Sequence, residues 1–192
     1  MLHNHAAISI PASGAFRPRL VLTACSIIAS LVTLAAFHGE ARAQSSTIVA
    51  FGGSNTRGKG VSSSEAYPAR LEALLRARGI NATVVNAGED GDTSRGMLAR
   101  LDSAVPAGTK VVILHVSRRN DQRKRVSDRS ANVAALKHAL AARHIRIVML
   151  EPEIIRAARR SDPQPDGVHI GPRGHAMIAA RLLPRVIAAL HG

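Results

Sequence analysis

Thr47-Ile48-Val49-Ala50-Phe51 runs without polar alternation into Gly52-Gly53-Ser54-Asn55-Thr56. A short aliphatic run of this kind suits a strand covered on both faces, and the glycines mark its end. Three more runs share its character: Ala82 to Asn86, Lys110 to Val116 and Ile145 to Leu150. Between them lie helical spacings. Tyr67, Leu71, Leu74 and Leu75 form one, ending at Gly79. Met97, Leu98 and Leu101 form a second. Val133, Leu136 and Leu140 form a third, behind a candidate cap at Asp128. A last helix is expected after Pro172, with Ile178, Leu182, Val186 and Leu190 on one stripe and a kink at Pro184. Strands alternating with helices imply right-handed crossovers and a parallel sheet. The expected fold is α/β, a three-layer α/β/α sandwich around four to five parallel strands.

The chain of 192 residues is 46% apolar and 20% charged, with 15 Gly, 9 Pro and one Cys. That excludes collagen-like, disulfide-stapled and wholly disordered chains. Residues 1–43 read as a signal peptide. Arg17 and Arg19 precede an uncharged run from Leu20 to Phe37, which ends at Ala41-Arg42-Ala43, a small-x-small cleavage site. The expected location is therefore periplasmic or secreted. The alternative is an uncleaved membrane anchor, because the run lies near the spanning length. Residues 44–192 then form one domain without cysteine, so thiol chemistry is excluded.

In open α/β sheets, ligands bind beyond the carboxyl ends of the strands, and polar motifs collect there. Gly52-Gly53-Ser54 follows the first strand and Gly88-Glu89-Asp90-Gly91-Asp92-Thr93-Ser94 the second. Ser117-Arg118-Arg119-Asn120-Asp121 follows the third, and Asp166-Gly167-Val168-His169 precedes the last helix. Acyl transfer needs a hydroxyl, a base, an acid that orients the base and donors for an oxyanion. Ser54 is the candidate nucleophile, His169 its base and Asp166 the orienting acid. The Ser54 N–H, the Gly91 N–H and the Asn120 amide are the candidate oxyanion donors. Glu89, Asp90 and Asp92 read as capping or solvated acids, and His115 as a hydrogen-bonded core residue. The histidines form no convincing metal set.

Those motifs, from Thr47 to about Leu190, resemble the SGNH (GDSL-type) hydrolases, above all the small exported lysophospholipase and acyl-CoA thioesterase branch. The resemblance implies a flavodoxin-like sandwich and a serine hydrolase acting on carboxylic ester or thioester bonds, with neither metal nor organic cofactor. It assigns the nucleophile to Ser54, the oxyanion donors to Gly91 and Asn120, and the acid and base to Asp166 and His169. Its partner would be a small acyl ester or thioester, with lipid among the candidates.

Two positions depart from the pattern. Gly53 replaces an aspartate in the first motif. Arg118 stands where the family has glycine; if that position needs a positive φ, Asn120 is pulled off the oxyanion and turnover weakens. The stretch from Glu151 to Pro165 also looks too short for a further strand and helix.

Residues 44–192 carry 23 basic against 12 acidic residues, a charge of +11. Arg118, Arg119, Arg123, Lys124 and Arg125 are candidate anion-binding residues, suited to an anionic membrane surface or polysaccharide. Nucleic acid is not an expected partner, because Phe51 and Tyr67 are the only aromatics after residue 43. The alternative function is a catalytically weakened envelope protein that binds polyanions through these loops.

Overall fold

The structure is a computed structural model that describes residues 45–192. The expected signal or anchor segment and its cleavage site lie outside the described residues. Twelve elements follow in chain order. Strand β1 spans Ser46–Gly52 and is followed by a single turn, α1 (Ser54–Arg57), and by α2 (Tyr67–Arg76). Next come β2 (Ala82–Gly88), α3 (Ser94–Ala99), α4 (Leu101–Ala104) and β3 (Thr109–His115). The chain closes with α5 (Arg118–Arg123), α6 (Arg129–Ala142), β4 (Arg146–Met149), α7 (Pro152–Ser161) and α8 (Pro172–His191).

All strand pairs are parallel and the sheet order is β2-β1-β3-β4. Successive side chains on a strand point to opposite faces; both faces of β1 and β3 are covered, whereas the edge strand β2, expected to be covered on both, buries Ala82 and Val84 but exposes Thr83 and Val85. Ile48, Ala50, Val111 and Ile113 pack under α2, α7 and α8, against Leu71, Ile155 and Ile178. Val49, Phe51, Val112 and Leu114 face the other way, against Met97, Leu101, Leu136 and Leu140. Each of the Val, Leu, Ile, Phe and Met side chains among them contributes about 1.5–3 kcal/mol by leaving water. This double burial is why β1 and β3 show no polar alternation, and it makes the three-layer sandwich.

From β1 the chain steps to one side for β2, then returns across β1 to place β3 on its other flank. The crevice of an open sheet forms at such a reversal, between the carboxyl ends of the two strands. Ser54 and Asn120 follow the strands that flank it.

Three local expectations change. The helix over Met97 to Leu101 is two, α3 and α4, because the backbone leaves the helix at Arg100 (φ −107, ψ 13). Pro184 lies inside α8, which continues through it to His191. Glu151 to Pro165 holds α7 but no strand, only an antiparallel bridge between Pro163 and Ile170. Asp128 stands at the start of α6 without a capping bond from its side chain, and its carboxylate accepts from Arg95 at 3.0 Å.

Candidate active site

Ser54 opens α1 directly after β1, and the turn is closed by Thr56 N and Arg57 N donating to Gly53 O at 2.9 and 3.0 Å. This turn presses on the end of β2: a Cβ at Gly88 would lie 2.2 Å from Arg57 N, so only glycine fits there. Facing it is the loop between α7 and α8. Gln164 N donates to His169 O (3.1 Å) and Gly171 N to Asp162 O (2.8 Å), which with the Pro163–Ile170 bridge fold the loop on itself. The Gln164 amide donates to Ile170 O and to Lys59 O, both at 2.8 Å, tying the loop to the segment after α1. Asp162 accepts from Arg173 N and Gly174 N and so satisfies two free donors of α8, whose N-terminal Gly171 has no side chain to do so.

These ties bring three side chains into line. His169 Nε2 lies 3.1 Å from Ser54 Oγ, and His169 Nδ1 lies 2.5 Å from Asp166 Oδ2. The other carboxylate oxygen of Asp166 accepts from Val168 N and His169 N, both at 2.9 Å. The His169 N–H, the imidazole and the Val168 N–H hold the Asp166 carboxyl well below the usual carboxylate range. An ionised Asp166 keeps the proton on Nδ1, which leaves the Nε2 lone pair for the serine hydroxyl.

Gly91 adopts φ +70, a left-handed conformation that favours glycine. The Asn120 side-chain amide donates one hydrogen to Asp92 O at 2.8 Å and retains a second. Asn120 lines the cleft with Ser54, and a smaller adjoining hollow with Gly91, Arg123 and Lys124. The feared strain at Arg118 is absent, because Arg118 begins α5 and its φ is not positive. Arginine suits a helical position as well as glycine does, or better. Gly53 has its own consequence: a Cβ there would stand 3.2 Å from Asn120 Nδ2, so glycine gives that amide room.

Support comes from residues the sequence reading passed over. Arg100, at the α3–α4 break, meets Asp92 Oδ2 at 2.7 Å and donates to Ala87 O (3.0 Å) and Gly52 O (3.3 Å). It also covers the Phe51 ring at 4.7 Å. One guanidinium thus clamps the ends of β1 and β2 to the loop that carries Gly91. Asp92 is therefore neither a cap nor solvated: its side chain is 7% exposed beneath Arg100. Glu89 and Asp90 are the surface acids, facing Arg100 and paired with Arg57 respectively. Asp121, buried, accepts from Ser94 N at 2.7 Å and faces Arg129. Such fork-shaped bonds to carbonyl ends carry no periodicity in sequence.

The cleft beside Ser54 has a volume of ≈ 470 Å³ and includes Arg118, Arg119, Arg156 and Arg159 in its wall. The basic residues singled out by sequence therefore divide: Arg118 and Arg119 line this cleft, Arg123 and Lys124 the smaller hollow, and Arg125 neither. His115 also lines the cleft. It is buried as expected, yet its Nδ1 has no hydrogen-bond partner among the described residues, which corrects the reading of it as a satisfied core histidine.

The fold and site place the chain among α/β acyl hydrolases. It belongs to the GDSL-like lipase/acylhydrolase family, whose pattern matches residues 50–165. That stretch includes Ser54, Gly91 and Asn120 and stops one residue before Asp166, so geometry alone ties Asp166 and His169 to it. No curated protein matches the sequence significantly. Among solved structures, AlinE4, an SGNH-hydrolase family esterase, is 27% identical with a TM-score of 0.56, over 77% of this chain and 97% of its own. Two more share the fold. TesA has a TM-score of 0.65 at 20% identity, over 74% of this chain and 99% of its own. The psychrotrophic esterase EstA from Pseudoalteromonas sp. has a TM-score of 0.66 at 17% identity, over 76% and 99%. Family membership supports ester hydrolysis in general.

Proposed function

We propose that the chain is an exported serine hydrolase that cleaves carboxylic esters or thioesters through Ser54, His169 and Asp166. The observation that carries this reading is the hydrogen-bonded line Asp166–His169–Ser54 at the end of β1. His169 Nε2 takes the Ser54 proton as Oγ attacks the acyl carbonyl, and Asp166 stabilises the imidazolium that forms. The Ser54 N–H, the Gly91 N–H and the free hydrogen of the Asn120 amide receive the oxyanion; losing one such donor typically costs about 10²–10³ in rate. His169 then protonates the departing alkoxide or thiolate. Water, deprotonated by His169, attacks the acyl-serine, and its breakdown releases the acid and restores Ser54. Export rests on Arg17, Arg19, the run from Leu20 to Phe37 and the Ala41-Arg42-Ala43 site.

The test is labelling by a fluorophosphonate probe, together with hydrolysis of short 4-nitrophenyl esters. Both are expected in the wild type and should be lost in Ser54→Ala and His169→Ala. Wild-type protein that neither labels nor hydrolyses, but holds heparin tightly, would instead support the polyanion-binding alternative.

A further inference from the structure

The cleft beside Ser54 is more cationic than acyl transfer requires. Its wall carries five arginines against one carboxylate, Glu153. Two of the five are committed: Arg156 pairs with Glu153, and Arg129 meets Asp121 at 3.2 Å and donates to Val116 O at 3.1 Å. Arg118, Arg119 and Arg159 form no ion pair among the described residues, although they come from two different elements, α5 and α7.

Holding them there costs free energy. Arg118 and Arg119 occupy the first turn of α5, the end of a helix that disfavours cations. Arg159 Nε is buried with no acceptor among the described residues. Burial and then the Arg119 charge push the Arg159 pKa down, and burial followed by Arg159 and Arg129 pushes the His115 imidazole down to about 4. A buried donor without an acceptor calls for an explanation. An anion in the cleft supplies one, because guanidinium forks match the oxygens of carboxylate and phosphate.

We infer that the cleft takes an ester bearing a carboxylate or phosphate, held by Arg118, Arg119 and Arg159 while Ser54 meets the carbonyl. The inference rests on the hydrolase reading above and narrows its substrate from any small ester to an anionic one. Val116, Ile155 and Val168 in the same wall offer an apolar contact for the carbon segment between charge and ester.

The test compares kcat/KM for charged and neutral partners of matched shape, after subtraction of spontaneous hydrolysis. With 4-acetoxybenzoate and its methyl ester, the charge sits on the alcohol side. With mono-4-nitrophenyl succinate and 4-nitrophenyl butyrate, it sits on the acyl side. For phosphate, 4-acetoxyphenyl phosphate is set against phenyl acetate. Each charged-to-neutral ratio is measured on one preparation, so the fraction of folded enzyme cancels, and intrinsic ester reactivity cancels between wild type and variant. On at least one side the ratio should fall tenfold or more in Arg159→Gln and in Arg119→Gln, with part regained in Arg159→Lys. Ratios within twofold of wild type in every pair would overturn the inference. Calorimetric titration of Ser54→Ala with 4-acetoxybenzoate, 4-acetoxyphenyl phosphate and mono-4-nitrophenyl succinate reads the cleft without turnover. Binding that weakens in Ser54→Ala/Arg159→Gln supports the anion site even if the wild type never labels, an outcome that sinks the hydrolase reading alone. Absence of binding together with absence of turnover overturns both.

Discussion

Asp166 draws its hydrogen bonds from within its own loop, two from backbone N–H groups and one from His169. Its carboxyl is therefore ionised throughout the working pH range, and the acid limb of activity will not report its titration. Asp166→Asn keeps the shape but turns an acceptor into a donor, favouring the tautomer whose Nε2 carries the proton. Turnover is expected to fall by about 10³–10⁴ with little change in KM; steady-state kinetics on a short ester check this, and a loss under tenfold would remove Asp166 from the line. The motif spacing made Ser54, His169 and Asp166 legible, because acid and base stand three positions apart within one loop. Arg118 was misjudged for the opposite reason. Whether a residue sits at positive or negative φ depends on where the next helix begins, and nothing in the motif marks the start of α5 at Arg118.

At the scale of elements, the break between α3 and α4 matters most. A continuous helix over residues 94–104 would keep Arg100 among its helical neighbours; the break frees its side chain to bridge β1, β2 and the Gly91 loop. Arg100→Met leaves the Asp92 carboxylate buried without its partner, at a cost of about 3 kcal/mol. Urea unfolding should show that loss, and Arg100→Met/Asp92→Asn should recover part of it. In the folded fraction, measured by active-site titration, turnover should also drop, since Asp92 O is what Asn120 bonds. Unchanged stability in the single variant would mean that the clamp is redundant. Helix periodicity reported the buried stripes well but was silent here, because it records which face is apolar and not where the axis turns.

For the molecule as a whole, two buried imidazoles set the response to acid. Burial pushes both His115 and His175 down to about 4 from an ordinary 6.5. His175 Nδ1 accepts from Tyr67 N at 3.2 Å, a bond that a protonated ring cannot make. Between pH 6.5 and 4 the unfolded chain binds more protons than the folded one, so this stability is full above 6.5 and drains as pH falls. At about 1.4 kcal/mol per unit of displacement, the loss amounts to a few kcal/mol. Denaturant midpoints measured at pH 7 and 4.5 should show it, with a smaller difference in His175→Gln. An equal difference in that variant would assign the acid sensitivity elsewhere.

Much was determined by the order of residues alone. Aliphatic runs covered on both faces need helices on both sides, so strand count, parallel topology and the rim where the motifs collect followed from hydrophobic burial, which acts along the chain with a fixed period. The candidate triad residues were legible because each motif sits at the end of a strand or the start of a helix. Only the tertiary structure decided what fills the space between those ends: Arg100 under the Gly91 loop, Asp162 capping α8, and three arginines from α5 and α7, without ion pairs among the described residues, turned into one cleft. Those arrangements rest on hydrogen bonds and charge between segments far apart in sequence. Their geometry exists only once the sheet has brought the segments together.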